Sequence, residues 1–213
     1  MLLLIDNFDS FSYMLADLIR QSGQELVVLR NDVSPEELAE IPFKGLILSP
    51  GPGKPSEAGN LMQILKDWHD KVPVLGVCLG HQAIGGFFGA DLVKNTVPVH
   101  GKVHKVSKNR RDRFTDLLPK EFNVTRYHSL QLANLPGCLD CILETECGEI
   151  MGISHKTLPI LGVQYHPEAL LTEFGLELIK NWIWASGLVD LNSLELLNAD
   201  QSPQYQDIFS NQK

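Results

Sequence analysis

Val72-Pro73-Val74-Leu75-Gly76-Val77-Cys78-Leu79-Gly80-His81 decides the fold. An apolar run meets a glycine-bracketed cysteine and passes into a helix-like segment from near His81, so the stretch reads as strand, sharp turn, helix. A side chain at the tip of such a turn sits on a strained backbone. Small neighbours let the chain fold back tightly while that side chain projects beyond the strand end, which is the logic of the G-x-S-x-G elbow with sulfur in place of oxygen. Cys78 is therefore the candidate nucleophile. A cysteine in an arbitrary strand is more often a small buried apolar group; the glycine bracket and the strand-to-helix setting favour chemistry here.

Working outward toward the N-terminus, the same alternation repeats. Leu2 to Ile5 is a short, fully apolar run of the kind a buried parallel strand requires. Met14, Leu15, Leu18 and Ile19 share one face of a following helix that Gly23 is placed to end. Glu25 to Arg30 gives a second strand. Ser34-Pro35-Glu36-Glu37 is a helix start, with Ser34 as cap, Pro35 in the first helical position and Glu37 completing a capping box. Gly45-Leu46-Ile47-Leu48 forms a third strand running into Ser49-Pro50-Gly51-Pro52-Gly53, and Asn60 to His69 is the helix before the strand that leads to Cys78. Four such units predict an α/β fold with a doubly wound, mostly parallel sheet of flavodoxin-like character. Ligands then gather at the carboxyl ends of the strands, where the loop Asp6 to Ser12, the turn Pro50 to Gly53 and Cys78 all fall.

Toward the C-terminus the pattern changes. From Ala90 to about Ile153, short strands separated by turns at Gly101, Pro119, Pro136-Gly137 and Cys147-Gly148 predict antiparallel additions to the sheet. Pro159 to Tyr165 is a last buried strand ending at His166-Pro167-Glu168. A final helix stacks Phe174, Leu178 and Trp182, with Ile179 and Ile183 alongside, and ends at Gly187. Residues 1–187 are expected to form a single domain, and 188–213 a polar, weakly patterned tail.

Composition narrows the function classes. A formal net charge of −8 over 213 residues, with 44% hydrophobic and 21% charged residues, is that of an ordinary globular chain and argues against nucleic-acid binding, which needs clustered Lys and Arg. The one basic run, Lys105, Lys108, Arg110, Arg111 and Arg113, is interrupted by Ser107, Asn109 and Asp112 and reads as a solvated loop. Met1-Leu2-Leu3-Leu4-Ile5 has no basic lead and meets Asp6 at once, which argues against a signal peptide or a membrane span. A cytoplasmic location is expected, and with it reduced thiols for the four cysteines. Cys138-Leu139-Asp140-Cys141 is an isolated CxxC with only Cys147 and His155 near in sequence, a weak zinc signal. No metal or cofactor is expected.

A cysteine nucleophile needs a base, donors for the oxyanion it creates, and a group that orients the base. His166 serves as the base: Pro167 steers it away from helical geometry and keeps its ring on a strand exit. Glu168 can accept from the other imidazole nitrogen, which is the triad logic with Cys, His and an acid. The backbone N–H of Leu79 is one oxyanion donor, and a glycine N–H from the Gly51 to Gly53 loop supplies a second. That loop lacks the spacing of a dinucleotide fingerprint and the Gly-Lys-Ser/Thr of a P-loop.

These residues carry a resemblance. Leu3-Leu4-Ile5-Asp6-Asn7-Phe8-Asp9-Ser10-Phe11, Ser49-Pro50-Gly51-Pro52-Gly53, Gly76-Val77-Cys78-Leu79-Gly80-His81-Gln82, His100-Gly101-Lys102, Arg126-Tyr127-His128-Ser129-Leu130 and Gly162-Val163-Gln164-Tyr165-His166-Pro167-Glu168 occur in the order found in class I (triad) glutamine amidotransferases. The chain resembles that family from Leu2 to about Trp184, most closely the small-subunit branch shared by anthranilate synthase and aminodeoxychorismate synthase. The resemblance implies a glutaminase triad of Cys78, His166 and Glu168, with Gln82 and the backbone at Ser129 and Leu130 holding the α-amino and α-carboxylate groups of glutamine. It also implies delivery of ammonia to a separate chorismate-binding synthase subunit, in p-aminobenzoate and folate or in tryptophan biosynthesis, with His100-Gly101-Lys102 near the partner interface. Ala169 departs from the serine many relatives carry after His-Pro-Glu. The stretch Glu149 to Ile153 leans toward the aminodeoxychorismate branch. Two other readings compete: a free-standing cysteine hydrolase of γ-glutamyl substrates, which would turn over without a partner, and a receiver-like binding module with acidic residues after the first strand. The receiver expects an aspartate at the end of the third strand, where Leu48-Ser49-Pro50 stands.

Overall fold

The structure is a computed structural model that describes residues 1–95 and 98–188. Its centre is a nine-stranded mixed sheet. Strands β1 (Leu2–Asp6), β2 (Leu26–Arg30), β3 (Leu46–Leu48), β4 (Val74–Val77) and β11 (Ile160–Val163) are parallel and stand in the order β2-β1-β3-β4-β11. The sheet continues antiparallel through β10 (Ile150–His155), β9 (Leu139–Thr145), β6 (Lys102–Lys108) and β7 (Glu121–Arg126).

Strand alternation feeds two cores. Leu2 and Leu4 point to one face, where Leu15, Ala16 and Ile19 of α1 (Ser12–Gln21) join Leu178, Ile179, Trp182 and Ile183 of α5 (Gly175–Ala185). Leu3 and Ile5 point to the other. There they meet Leu38 of α2 (Pro35–Ala39), Leu61, Ile64 and Leu65 of α3 (Leu61–Trp68), and Leu79, Ala83 and Ile84 of α4 (Leu79–Phe88). Both faces are thus covered by helices, as the apolar strands require, and the doubly wound architecture stands.

Local signals act as read. Ser34 Oγ accepts from Glu37 N at 3.1 Å while Glu37 Oε2 accepts from Ser34 N at 3.2 Å, closing the capping box. Gly187, at φ +67°, follows the end of α5.

Several expectations need correction. Met14 is exposed, and the buried face of α1 is Ser12, Leu15, Ala16 and Ile19, because the helix turns its 12-15-16-19 stripe inward. Phe174 lies outside α5: it is the left-handed residue before the helix (φ 58°), with its ring edge-on to Phe122 at 6.1 Å. Not every short strand joins the main sheet, since β5 (Asp91–Lys94) and β8 (Leu130–Ala133) pair antiparallel in a sheet of their own. The basic run is no simple loop either. Lys105 and Lys108 lie in β6, and Lys108 Nζ donates to the carbonyls of Thr115 and Leu118 at 2.8 and 2.7 Å. Leu188, placed at the head of the tail, is buried, and its carbonyl accepts from Lys44 Nζ at 2.8 Å. Residues 189–213 of the expected tail lie outside the described residues. Among the described residues no helix is long and apolar enough to cross a membrane.

Candidate active site

Cys78 stands between β4 and α4 with φ 51° and ψ −99°, a conformation that costs a non-glycine residue free energy. Its neighbours hold it there. A Cβ on Gly76 would lie 2.5 Å from the backbone of Gly80, and one on Gly80 would lie 2.3 Å from Leu48 O, so only glycines allow α4 to approach β4 and β3 this closely. Cys78 N donates to Val163 O at 2.9 Å, and Gln82 N donates to Cys78 O at 3.0 Å. Cys78 as a whole is 6% exposed, at the carboxyl edge of the parallel strands.

Parallel pairing of β4 with β11 sets Val77 beside Val163. The chain beyond β11 therefore passes Cys78, and His166 N ties it to Thr125 O at 3.1 Å. His166 Nδ1 is 2.7 Å from Glu168 Oε1, and both side chains are sealed from solvent. Burial alone would lower the His166 pKa; the nearby Cys78, the hydrogen bond with Glu168 and the negative charge both groups can carry outweigh it and raise the value. The geometry thus brings Cys78, His166 and Glu168 together, with an imidazole suited to hold a proton between a sulfur and a carboxylate.

The ring of His166 also has apolar walls. Phe11 and Tyr127 each lie 5.1 Å from it between ring centroids, and they stack against one another at 5.0 Å. His100 meets Tyr127 edge-on at 5.3 Å, next to Gly101 at φ +63°. Neither Phe11 nor Tyr127 was singled out by sequence reasoning; an aromatic after a turn carries no signal of the ring it will cover.

Gly51 is wedged beside the elbow: a Cβ there would sit 2.5 Å from Leu79 Cδ2 and 2.6 Å from Asn7 Cβ. Gly53 takes φ +73°. This loop is held by polar residues to which the sequence assigned no role, although Asn7 and Ser49 stand in stretches that carry the resemblance. Asn7 N and Nδ2 donate to Ser49 Oγ and Ser49 O, each at 2.9 Å, and Asn31 Nδ2 donates to Asn7 Oδ1 at 3.0 Å. All three side chains are buried. The Asp6 to Ser12 loop, expected at the ligand edge, uses its acids locally: Asp6 Oδ1 accepts from Ser12 Oγ at 2.6 Å and Asp9 Oδ1 from Phe11 N at 2.8 Å.

Gln82 lies one turn into α4, and its Nε2 donates to Leu130 O and to Gln164 Oε1, both at 3.1 Å. Ser129 O accepts from Asn95 N at 2.9 Å. The carbonyls of Ser129 and Leu130 are therefore engaged within the protein. Beneath them lies a buried cation. Arg126 is 1% exposed; Nη1 pairs with Glu149 Oε2 at 2.7 Å and donates to His104 Nδ1 at 2.8 Å, and Nε donates to His128 Nε2 at 3.0 Å. Burial, then the Arg126 charge, lowers the His128 pKa to about 4, and the ring stays neutral. His81 is fully buried and lowered by burial to about 3. Away from the site, Cys141 is pushed up to about 11 by burial and then by Glu144, and takes a hydrogen bond from Asn109 Nδ2 at 3.2 Å. Among the described residues no group of three His, Cys, Asp or Glu side chains is placed to hold a metal ion.

Known proteins resemble this chain in sequence and fold. A family model described as glutamine amidotransferase class-I matches residues 3–186. Anthranilate synthase component 2 of Azospirillum brasilense is 47% identical over 188 residues, covering 86% of this chain and 95% of that protein. Aminodeoxychorismate/anthranilate synthase component 2 of Bacillus subtilis is 43% identical over 186 residues, with shares of 86% and 95%. Among solved structures, a Thermoplasma acidophilum protein described as a GMP synthase subunit superposes with a TM-score of 0.78 at 28% identity, covering 93% of this chain and 97% of that one. A Thermotoga maritima glutamine amidotransferase, at TM-score 0.66 and 21% identity over 93% and 85% of the two chains, shares the fold. With the family model spanning nearly all of the described residues, on a strand-end cysteine beside a buried His–Glu pair, the chain belongs to the class-I glutamine amidotransferases.

Proposed function

We propose that this chain is the glutaminase component of a chorismate-aminating synthase, of the aminodeoxychorismate or anthranilate type, and that Cys78, His166 and Glu168 are its catalytic triad. The observation that carries the reading is the buried 2.7 Å contact of His166 with Glu168, just beyond the strand paired beside the one that ends at the strained Cys78.

In this mechanism the Cys78 thiolate attacks the side-chain amide carbon of glutamine. The oxyanion is met by the N–H of Leu79, at the start of α4, and by an N–H from the Gly51 to Gly53 loop. His166 gives its proton to the departing nitrogen, ammonia leaves, and a γ-glutamyl thioester remains. His166 then takes a proton from water, which attacks the thioester carbon; the carbon–sulfur bond breaks and glutamate is released. Glu168 holds the ring in position and stabilises its imidazolium form. Because the Gln82 amide nitrogen is already spent on Leu130 and Gln164, its carbonyl oxygen is the group for the α-ammonium of glutamine. With the carbonyls of Ser129 and Leu130 also engaged, that backbone meets the α-carboxylate from its donor side.

Ammonia made at this edge is used by a synthase subunit that binds chorismate, and the pair works in the cytoplasm. The component 2 names of relatives at 43–47% identity support the partnership. The test mixes the chain with each candidate synthase subunit, chorismate and either glutamine or ammonium. A glutamine-dependent aminated product, lost in Cys78→Ser while ammonium still supports synthesis, is expected. Glutamate release without any partner-dependent amination would favour the free-standing hydrolase and overturn the reading.

A further inference from the structure

Gln164, wholly buried and directly after β11, is an uncharged neighbour of the nucleophile that the mechanism above leaves unused. Its Nε2 donates to Cys78 Sγ at 3.7 Å. Which end of the amide faces sulfur is set by its far side. The Leu130 carbonyl can only accept, so the Gln82 group 3.1 Å from it is the amide nitrogen. The same nitrogen faces Gln164 at 3.1 Å, so Gln164 turns its oxygen there and its NH₂ to the sulfur.

The Leu130 carbonyl is itself aimed. His128 Nδ1 lies 2.8 Å from it, and Arg126 Nε lies 3.0 Å from His128 Nε2. A guanidinium has donors only, so Nε2 must accept and the imidazole proton sits on Nδ1, directed at Leu130 O. Asn95 Nδ2 donates to His128 O at 3.2 Å. Glu149 anchors the arginine at 2.7 Å. Donors therefore run in one sense from the buried Arg126 to Leu130, and from Gln82 through Gln164 to Cys78.

We propose that Gln164 is a further catalytic residue, donating an N–H to the Cys78 sulfur, and that Gln82, His128 and Arg126 are positioning residues that fix its orientation. The inference rests on Cys78 being the glutaminase nucleophile. A hydrogen bond to an anionic acceptor is stronger than one to a neutral acceptor. Gln164 thus aims the attacking thiolate, and it meets the same charge again when water cleaves the thioester and the bond's electron pair returns to sulfur.

The test uses the complex of this chain with its synthase partner and follows glutamate release at varied glutamine. Gln164→Glu keeps the acceptor toward Gln82 but puts an oxygen on the sulfur; Gln164→Met keeps volume and removes the donor. Each is expected to lower kcat by about tenfold to a hundredfold, the glutamate variant more, with KM changed by less than about twofold. His128→Asn, which keeps an N–H near the Nδ1 position, is expected to retain activity that His128→Leu loses. Co-elution with the synthase partner certifies folding, and Gln164→Met keeps the test open if the buried carboxylate of Gln164→Glu prevents it. A competent parent whose Gln164→Met variant holds kcat within about twofold, or loses only KM, would overturn this inference alone. A parent complex that releases no glutamate would overturn the glutaminase reading and this inference with it.

Discussion

Gly80→Ala places one methyl group in the tightest joint of the elbow. An ideal Cβ at Gly80 lies 2.3 Å from Leu48 O and 2.7 Å from Leu48 Cβ, and the obstacle is a backbone carbonyl that cannot rotate away. A tight C–H···O approach is about 3.3 Å, so the first turn of α4 must withdraw from β3 by about 1 Å. Overpacking of this kind costs about 1–3 kcal/mol, of which helix propensity returns up to about 1 kcal/mol. Activity is the more sensitive reading, because the withdrawal carries with it Leu79 N–H and Cys78. Misplacement by about 1 Å is enough for a loss of about a hundredfold. Gly86→Ala, in the same helix, meets nothing within 4 Å and is expected to stabilise by up to about 1 kcal/mol with activity unchanged. Urea unfolding and glutaminase assays on the two variants provide the comparison. Matching stability and activity in both would refute the claim that Gly80 exists for this close approach.

Three further expectations concern stability. Ser34→Ala opens the capping box of the five-residue α2 and should cost about 1 kcal/mol by urea unfolding. Glu149→Gln leaves the buried Arg126 short of its counter-charge and should cost about 2 kcal/mol or more, whereas Glu121→Gln, in the exposed pair with Lys105, should cost less than about 1 kcal/mol; equal losses would contradict the burial argument. His81 and His128 have pKa values lowered to about 3 and about 4, so on acidification the unfolded chain takes up their protons first. The stability they contribute is full above the ordinary value of 6.5 and is lost as pH falls toward 4 and then 3, at about 1.4 kcal/mol per pH unit for each ring. His81→Leu should flatten the acid limb of a stability–pH curve by that amount, and an unchanged slope would show that His81 is not held neutral by burial.

The features legible in the sequence were those whose cause is local. The Cys78 elbow announces itself because only glycine tolerates the contacts at positions 76 and 80, and the capping box at Ser34 because its two bonds span three residues. His166 and Glu168 could be paired from their spacing at a strand exit, two residues apart, and the turn that Ala169 N closes on His166 O at 3.2 Å brings them together. That they meet Cys78 depends on β4 and β11 being neighbours, a non-local fact that the parallel order of the sheet supplies. Residues whose roles arise from distant partners stayed hidden. Asn7, Asn31 and Ser49 look like ordinary loop polars until Asn31 is seen to reach Asn7 across 24 positions. Arg126 stands in one of the stretches that carry the resemblance but shows no local sign of burial; Glu149, 23 positions on, allows it. The separate β5–β8 pair was misread for the same reason: two four-residue strands carry no mark of which sheet they will join.

The most direct test of the central claim is to mix the chain, with its synthase partner and chorismate, with glutamine, quench in acid within the turnover time, and weigh the peptide containing Cys78. The account predicts the added mass of one γ-glutamyl group on that peptide. The adduct should be absent in Cys78→Ala. Undiminished release of glutamate from glutamine by Cys78→Ala would contradict it.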